Sequence, residues 1–432
     1  MSLKLSLLCL CVFSTYTALS LHLNHENTSN NDSNKNPQKL LIILVDGFRW
    51  DYATRASKGF STIARNGVKA PYVTPIYPAN SYPNWASIVT GRYAEHHGFL
   101  DNYVYDSAEK DFFLMGTNAN SSHIHWWNQS LPIWTTAEKN NVSTAMYLWD
   151  GCQVPIDGIT PNYCLKYHSV SDNMEVANNE TRAHIKTILD NFSNNKHRLA
   201  LLYHEYVDHI GHSWGPETIN VTNAVIGIDQ ILQELYDEIK VRKLDNELNV
   251  VIVSDHGMVQ VDGFKKIHIS QFVDFNNDVE MLLGGGSGAQ LNPKPGKEDK
   301  IFNALNKLEG IKVYKRDDIP DEFHFKHNKN VFPLLVTVDL GYDMAVPSSP
   351  GKVYPGGESG ISPYPPTGGR HGYDRHVTDI RAIMYAFGPA LKANFVSEPL
   401  DMVDHYNLFC HILGIVPSPN DGNESKIMKM LK

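Results

Sequence analysis

A chain of 432 residues, 42% hydrophobic and 20% charged, can bury a large core, and one elaborated α/β domain could use all of it. The formal charge of −9 argues against non-specific binding of a nucleic-acid polymer, which needs a basic face. Twenty histidines direct attention to metal and acid–base chemistry.

Residues 1–20 read as a secretory signal: Lys4, an apolar run from Leu5 to Phe13, then Ala18-Leu19-Ser20 at a cleavage site. The run is short for a membrane span, and no apolar tail follows Val416, so neither a transmembrane segment nor a lipid anchor is expected. Residues 21–39 form a polar, Asn-rich leader expected to lack structure. Nine Asn-x-Ser/Thr sequons, at Asn27, Asn31, Asn120, Asn128, Asn141, Asn179, Asn191, Asn220 and Asn423, join the signal in predicting a secreted, extracellular glycoprotein.

Residues 40–432 are expected to form one catalytic domain. Unbroken apolar runs at Leu40–Val45, Leu199–Tyr203 and Val250–Val253, with a weaker one at Ala382–Ala386, predict strands covered on both faces. Val221, Val225, Ile228, Leu232, Leu235 and Ile239, spaced four and three, predict a helix between two of them. The fold class is therefore α/β, a mostly parallel sheet sandwiched by helices, with a smaller lobe inserted over roughly residues 259–370. Within that lobe Gly284–Gly288 lacks the Lys-Ser/Thr of a phosphate-binding loop and reads as a turn, and Pro347–Gly369 reads as a long surface loop. Of five cysteines, Cys9 and Cys11 leave with the signal, and Cys152 and Cys164 are expected to form a small disulfide loop. Cys410 is then either a buried apolar residue or the link of a disulfide-bonded homodimer.

Ligands of such sheets gather at the carboxyl ends of the strands, where Asp46 and Asp255 stand. Asp208 and His212 are an i, i+4 pair able to turn both side chains to one ion. Each of these, like Asp255-His256-Gly257, His371-Gly372 or a lone Ser81 between prolines, is equally at home in an ordinary turn. Together, carboxylates and imidazoles at successive strand ends suit a two-metal zinc site, beside which a hydroxyl becomes an activated nucleophile.

The segments Ile43–Arg49, Ser81-Tyr82-Pro83-Asn84, Thr90-Gly91-Arg92, His97-Gly98, Asp101-Asn102, Asp208–His212, Ser254–Met258 and His371–Asp374 resemble, in order, the ectonucleotide pyrophosphatase/phosphodiesterase family of the alkaline-phosphatase superfamily. The resemblance implies two Zn²⁺ ions, one held by Asp208, His212 and His371 and the other by Asp46, Ser81, Asp255 and His256. It implies Ser81 as nucleophile through a phospho-serine intermediate, although much of the family has Thr there, and Asn102 as a donor to a phosphoryl oxygen. The chain resembles the short, catalytic-domain-only members.

For the small-molecule phosphodiester substrate, Tyr82 and Tyr163 could sandwich a nucleobase or cage a quaternary ammonium. Ser81 followed by Tyr82, the Trp149–Cys152 and Tyr163-Cys164 cysteine loop, and Tyr203-His204-Glu205 resemble the choline-specific glycerophosphodiesterase branch, with Glu205 and Asp150 as anionic pocket groups. That branch has a second C-terminal Cys where this chain reads Met428-Lys429-Met430, a departure that leaves Cys410 without its expected partner. Choline-headgroup diesters are thus expected ahead of NAD, dinucleoside polyphosphates or nucleoside polyphosphates. A catalytically dead binding relative would have lost a ligand or the nucleophile, and all are present.

Overall fold

The computed structural model describes residues 38–347, 353–354 and 368–432, apart from 57 and 117. The expected signal, the leader up to residue 37, the sequons at Asn27 and Asn31 and most of the 347–369 loop lie outside the described residues. Lys39, assigned to the leader, instead opens the strand Lys39–Val45. Its buried ammonium donates to the Phe192 carbonyl at 2.7 Å and to Glu247 at 2.9 Å, which allows a lysine to begin a covered strand.

Leu40, Ile42 and Leu44 of this strand enter one hydrophobic core, and Leu41, Ile43 and Val45 enter another. The strand therefore separates two layers, and its unbroken apolar run follows from that position. All six are fully buried, each contributing at most about 1.5–3 kcal/mol of transfer free energy. One face is covered by the helices Ser81–Thr90, Ile133–Lys139 and His405–Leu413. The other is covered by Gly59–Asn66, Met174–Ser193 and Ile219–Val241. The last is the helix expected over 221–239, and its six marker residues are buried.

The central sheet has eight strands. Five neighbours run parallel, in the order Leu248–Val253, Lys39–Val45, Leu199–His204, Thr144–Tyr147 and Tyr163–Leu165. Met384–Phe387 pairs antiparallel with Leu248–Val253 and extends the sheet on that side. The register sets Val45 opposite His204 and Leu44 opposite Val253. The chain segments that leave these three strands, at Asp46, Glu205 and Ser254-Asp255, consequently emerge side by side.

Within 259–370 a five-stranded sheet orders Ile311–Lys315, Leu334–Val338, Gly288–Pro293, Val279–Gly285 and Val353–Tyr354, with its own core and the helix Glu298–Leu305. The glycine run is the turn of its hairpin: Gly285 pairs with Gly288, and Gly286 has φ +65°. Cys152 and Cys164 form a disulfide. Cys410 is fully buried in the His405–Leu413 helix, and burial pushes its thiol up to about 12. Its sulfur is therefore not presented to a second chain, which removes the basis for a Cys410-linked dimer. None of the seven sequon asparagines among the described residues is buried. No helix of the described residues is long and apolar enough to cross a membrane.

Candidate active site

Asp46 and Gly47 continue directly from the Lys39–Val45 strand. Gly47 has φ +62°, and a Cβ there would stand 2.6 Å from Asp208 Oδ1, so only glycine lets the two segments meet. Asp208 and His212 lie one turn apart on the helix Tyr206–Trp214. Asp255 and His256 follow the Leu248–Val253 strand, and His371 follows the short strand Gly369–Arg370. Ser81 is the first residue of its helix, behind Asn80.

Two groups of side chains converge: Asp46, Asp255 and His256 in one, Asp208, His212 and His371 in the other. In the first, His256 Nε2 stands 3.5 Å from Asp46 Oδ1, 3.4 Å from Asp255 Oδ2 and 3.3 Å from Ser81 Oγ. In the second, His212 Nε2 stands 3.4 Å from Asp208 Oδ2 and 3.0 Å from His371 Nε2. Four N and O ligands at zinc distances of about 2.0–2.1 Å lie roughly 3.3 Å apart, which is this spacing.

The imidazole tautomers give the same answer. His212 Nδ1 faces the Gly369 carbonyl, His256 Nδ1 the Gly257 carbonyl, and His371 Nδ1 the Asn80 Oδ1 and Ala79 carbonyl. These oxygens only accept, so each Nδ1 carries the proton and each Nε2 presents a lone pair. His212 Nε2 and His371 Nε2 thus face each other as two acceptors, an arrangement that a cation between them would stabilise. Asp46 Oδ1 and Asp208 Oδ1 are buried with no hydrogen-bond partner among the described residues. Burial drives the carboxyl pKa values of Asp46 and Asp208 well up, with neighbouring carboxylates adding to it, and moves Asp255 to about 6. Burial also lowers His212 and His371 well below the usual imidazole range and His256 to about 4. The donor set of carboxylates and neutral imidazoles fits borderline divalent metals such as zinc.

Outer contacts hold these groups. Tyr203 donates to Asp46 Oδ2 at 2.7 Å, and Trp85 Nε1 donates to Asp255 Oδ2 at 2.7 Å. Asn80 bridges His371 to Asp101, whose Oδ1 accepts from Asn80 at 2.7 Å and whose carboxyl burial moves up to about 6. Such partners fix ligand orientation. Asn102 Oδ1 accepts from Tyr82 N at 3.0 Å, which leaves its amide NH₂ as a donor beside Ser81.

A family model described as type I phosphodiesterase / nucleotide pyrophosphatase matches residues 40–374. The chain belongs to this family. Ectonucleotide pyrophosphatase/phosphodiesterase family member 7 of Rattus norvegicus is 34% identical over 404 residues, covering 91% of this chain and 87% of that protein. Bis(5'-adenosyl)-triphosphatase ENPP4 of Homo sapiens is 32% identical over 390 residues, covering 89% and 80%. Among solved structures, an inactive variant of murine ectonucleotide pyrophosphatase/phosphodiesterase 5 in complex with AMP matches with a TM-score of 0.80 at 29% identity, covering 91% of this chain and 100% of that one. The human counterpart matches with a TM-score of 0.81 at 30% identity.

The substrate side of this phosphodiesterase domain departs from the sequence expectation. Tyr82 is buried among Trp85, Phe99 and Phe113, its hydroxyl donating to Asp150 Oδ2 at 2.7 Å and accepting from Gly116 N at 2.8 Å. Asp150 is buried too, and its other oxygen accepts from Gly151 N and Gln153 Nε2. Both are engaged in a buried hydrogen-bond network. Tyr163 begins the strand Tyr163–Leu165 at the sheet end opposite the carboxyl ends, exposed and against Tyr147, so it does not reach the site. Tyr203 serves Asp46 through its hydroxyl instead of offering a ring face. Glu205 directly follows the strand Leu199–His204, and burial raises its pKa. Its carboxylate accepts from Tyr167 OH at 3.1 Å and from Val170 N at 3.1 Å, while the Tyr167 ring lies 5.9 Å from that of Tyr203. Tyr167, two residues beyond the Tyr163–Leu165 strand, stands against Glu205 and Tyr203 at the carboxyl end of the Leu199–His204 strand; only its nearness in sequence to Tyr163 pointed there.

Proposed function

We propose that the chain is an extracellular two-zinc phosphodiesterase that cleaves nucleotide pyrophosphate or phosphodiester bonds through a phospho-serine. Asp46, Asp255, His256 and Ser81 would hold one ion, and Asp208, His212 and His371 the other. When bound, the ions supply Lewis-acid stabilisation of charge on the attacking and leaving oxygens. Ser81 Oγ attacks phosphorus in line as its hydroxyl proton passes to solvent, the opposite P–O bond breaks, and the leaving oxygen takes up a proton from solvent. Water then attacks the phospho-serine on phosphorus, releasing the phosphate product and restoring the Ser81 hydroxyl. Pro83 has no N–H, and those of Tyr82 and Asn84 are occupied by Asn102 and Asn80. The Ser81 N–H and the Asn102 amide therefore stand as the donors to a phosphoryl oxygen that gathers charge. Asn80 with Asp101, Tyr203 and Trp85 keep the imidazole and carboxylates in register.

The observation that carries the reaction class is the 3.3 Å approach of Ser81 Oγ to His256 Nε2 within a cage of buried acceptors. The nucleotide reading is supported by the AMP-bound neighbour, by the relative named as a bis(5'-adenosyl)-triphosphatase, and by the single ring of Tyr167. The disulfide supports an oxidising, extracellular setting. A second reading, choline-headgroup diesters, keeps one support, the Glu205 carboxylate against Tyr167, since Tyr82, Asp150 and Tyr163 no longer back it. Hydrolysis of diadenosine triphosphate, NAD, glycerophosphocholine and lysophosphatidylcholine by zinc-loaded protein separates the two. The nucleotides are expected to give the highest kcat/KM; a dominant choline diester would reverse the order.

A further inference from the structure

A third convergence of ligand-type atoms lies apart from the six residues above. Asp111 opens the strand Asp111–Leu114, and His123 and His125 flank the start of the short helix Ile124–Trp127. One nitrogen of each imidazole and one carboxylate oxygen gather within 4.8 Å of one another. Asp111 Oδ1 is engaged by Phe112 N at 2.9 Å, which turns Oδ2 to the two histidines. His123 Nδ1 is 2.6 Å from that oxygen and His125 Nε2 is 3.4 Å from it. The second separation is the edge of a zinc tetrahedron with bonds of about 2.0–2.1 Å. The first is a hydrogen bond, which His123, half exposed at the helix start, would give up on binding the ion. His125 Nε2 is buried without a hydrogen-bond partner among the described residues, although it faces a carboxylate. The two atoms stand at ion-pair distance without a hydrogen bond between them, a place that a shared cation would fill.

We propose that Asp111, His123 and His125 bind a divalent transition-metal ion of the zinc type, with the fourth position open to solvent. Two imidazoles and a carboxylate form a borderline N/O donor set, which suits zinc over calcium or magnesium. The ion would fasten the start of the Asp111 strand to the His123–His125 segment. Phe113, two residues along that strand, packs on Tyr82 at 4.9 Å between ring centres and on Trp126 at 5.9 Å. The clamped strand therefore packs on the residue that follows Ser81, with the His123–His125 segment packed behind it through Trp126, and the role is to stiffen that packing.

The test counts metal in the purified full chain after equilibration with Zn²⁺ alone and removal of excess. Wild type is expected to retain one more zinc ion per chain than His123→Ala/His125→Ala, with the variant keeping its hydrolysis rate and showing a smaller zinc-dependent gain in Tm than wild type. Asp111→Asn, nearly isosteric, should lose the same single ion and decides the matter if the double variant does not fold. Equal zinc content in wild type and Asp111→Asn would overturn the site.

Discussion

On the side that carries the candidate metal ligands, Asp46, Asp255 and His256 follow directly on buried parallel strands, and Asp208 and His212 share one helical turn. On the substrate side, Tyr82, Asp150 and Tyr163 sit on a helix start, a post-strand loop and a strand start whose orientation depends on the surrounding core. The first group meets at one place because sheet register fixes where each strand ends. The second is scattered, two residues into a buried network and one to the wrong end of the sheet. Position on a strand end is set by backbone hydrogen bonding, whereas the direction of a loop side chain is set by whichever partner it satisfies.

The substrate side can be broken most sharply at Tyr167. Tyr167→Ala is expected to lower kcat/KM for diadenosine triphosphate by about 5–150-fold, the loss of one stacked base worth roughly 1–3 kcal/mol. Steady-state kinetics check it. An unchanged value would remove Tyr167 from the pocket. Tyr82→Phe should instead cost about 1–3 kcal/mol of stability, because Asp150 and Gly116 N are left buried with a partner lost, while kcat/KM stays within about 2-fold. Urea unfolding and kinetics on one preparation separate the effects, and a large KM change without a stability change would return Tyr82 to the substrate wall.

The pH dependence of stability draws on residues in neither group. Burial lowers His97 to about 3 and both His204 and His405 to about 4. Neutral in the fold, they take up protons near pH 6.5 only when the chain unfolds, so the unfolded state binds more protons below that pH. Their stabilisation is present above about 6.5 and is lost as pH falls toward 4, at up to about 1.4 kcal/mol per pH unit for each. Urea melts of zinc-saturated protein between pH 7 and 5 should show this slope, reduced by about one proton in His405→Gln. An identical slope in the variant would contradict the assignment for His405. The smallest effect is expected at Tyr163, where Tyr163→Ala should change kcat/KM by less than about 2-fold and stability by about 0.5 kcal/mol or less.

The central sheet is legible in the sequence because covered strands leave unbroken apolar runs, and the helix Ile219–Val241 is legible from its four-and-three spacing. Asp46, Asp255 and His256 are legible because a titratable residue directly after such a run has one place to be, and Asp208 and His212 from their i, i+4 spacing. His371 follows no apolar run and is reached only through the family resemblance. Asn80, Asp101 and Trp85 escape notice for a different reason: each acts only through a partner distant in sequence, His371 or Asp255. A weak signal existed for two of them, since Asn80 is a favoured residue before a helix start and Trp85 shares a helix face with Ser81. Tyr167 lies in the irregular stretch between Leu165 and Met174, where no periodicity orients a side chain.

The most direct test of the account is Ser81→Ala, read in two ways on one preparation: zinc content and hydrolysis of diadenosine triphosphate. The account predicts that Asp46, Asp255 and His256 still hold their ion, so zinc content is retained, while turnover falls by about 10³-fold or more because no nucleophile remains. Turnover within about 10-fold of wild type, with zinc retained, would contradict the assignment of Ser81 and with it the phospho-serine route.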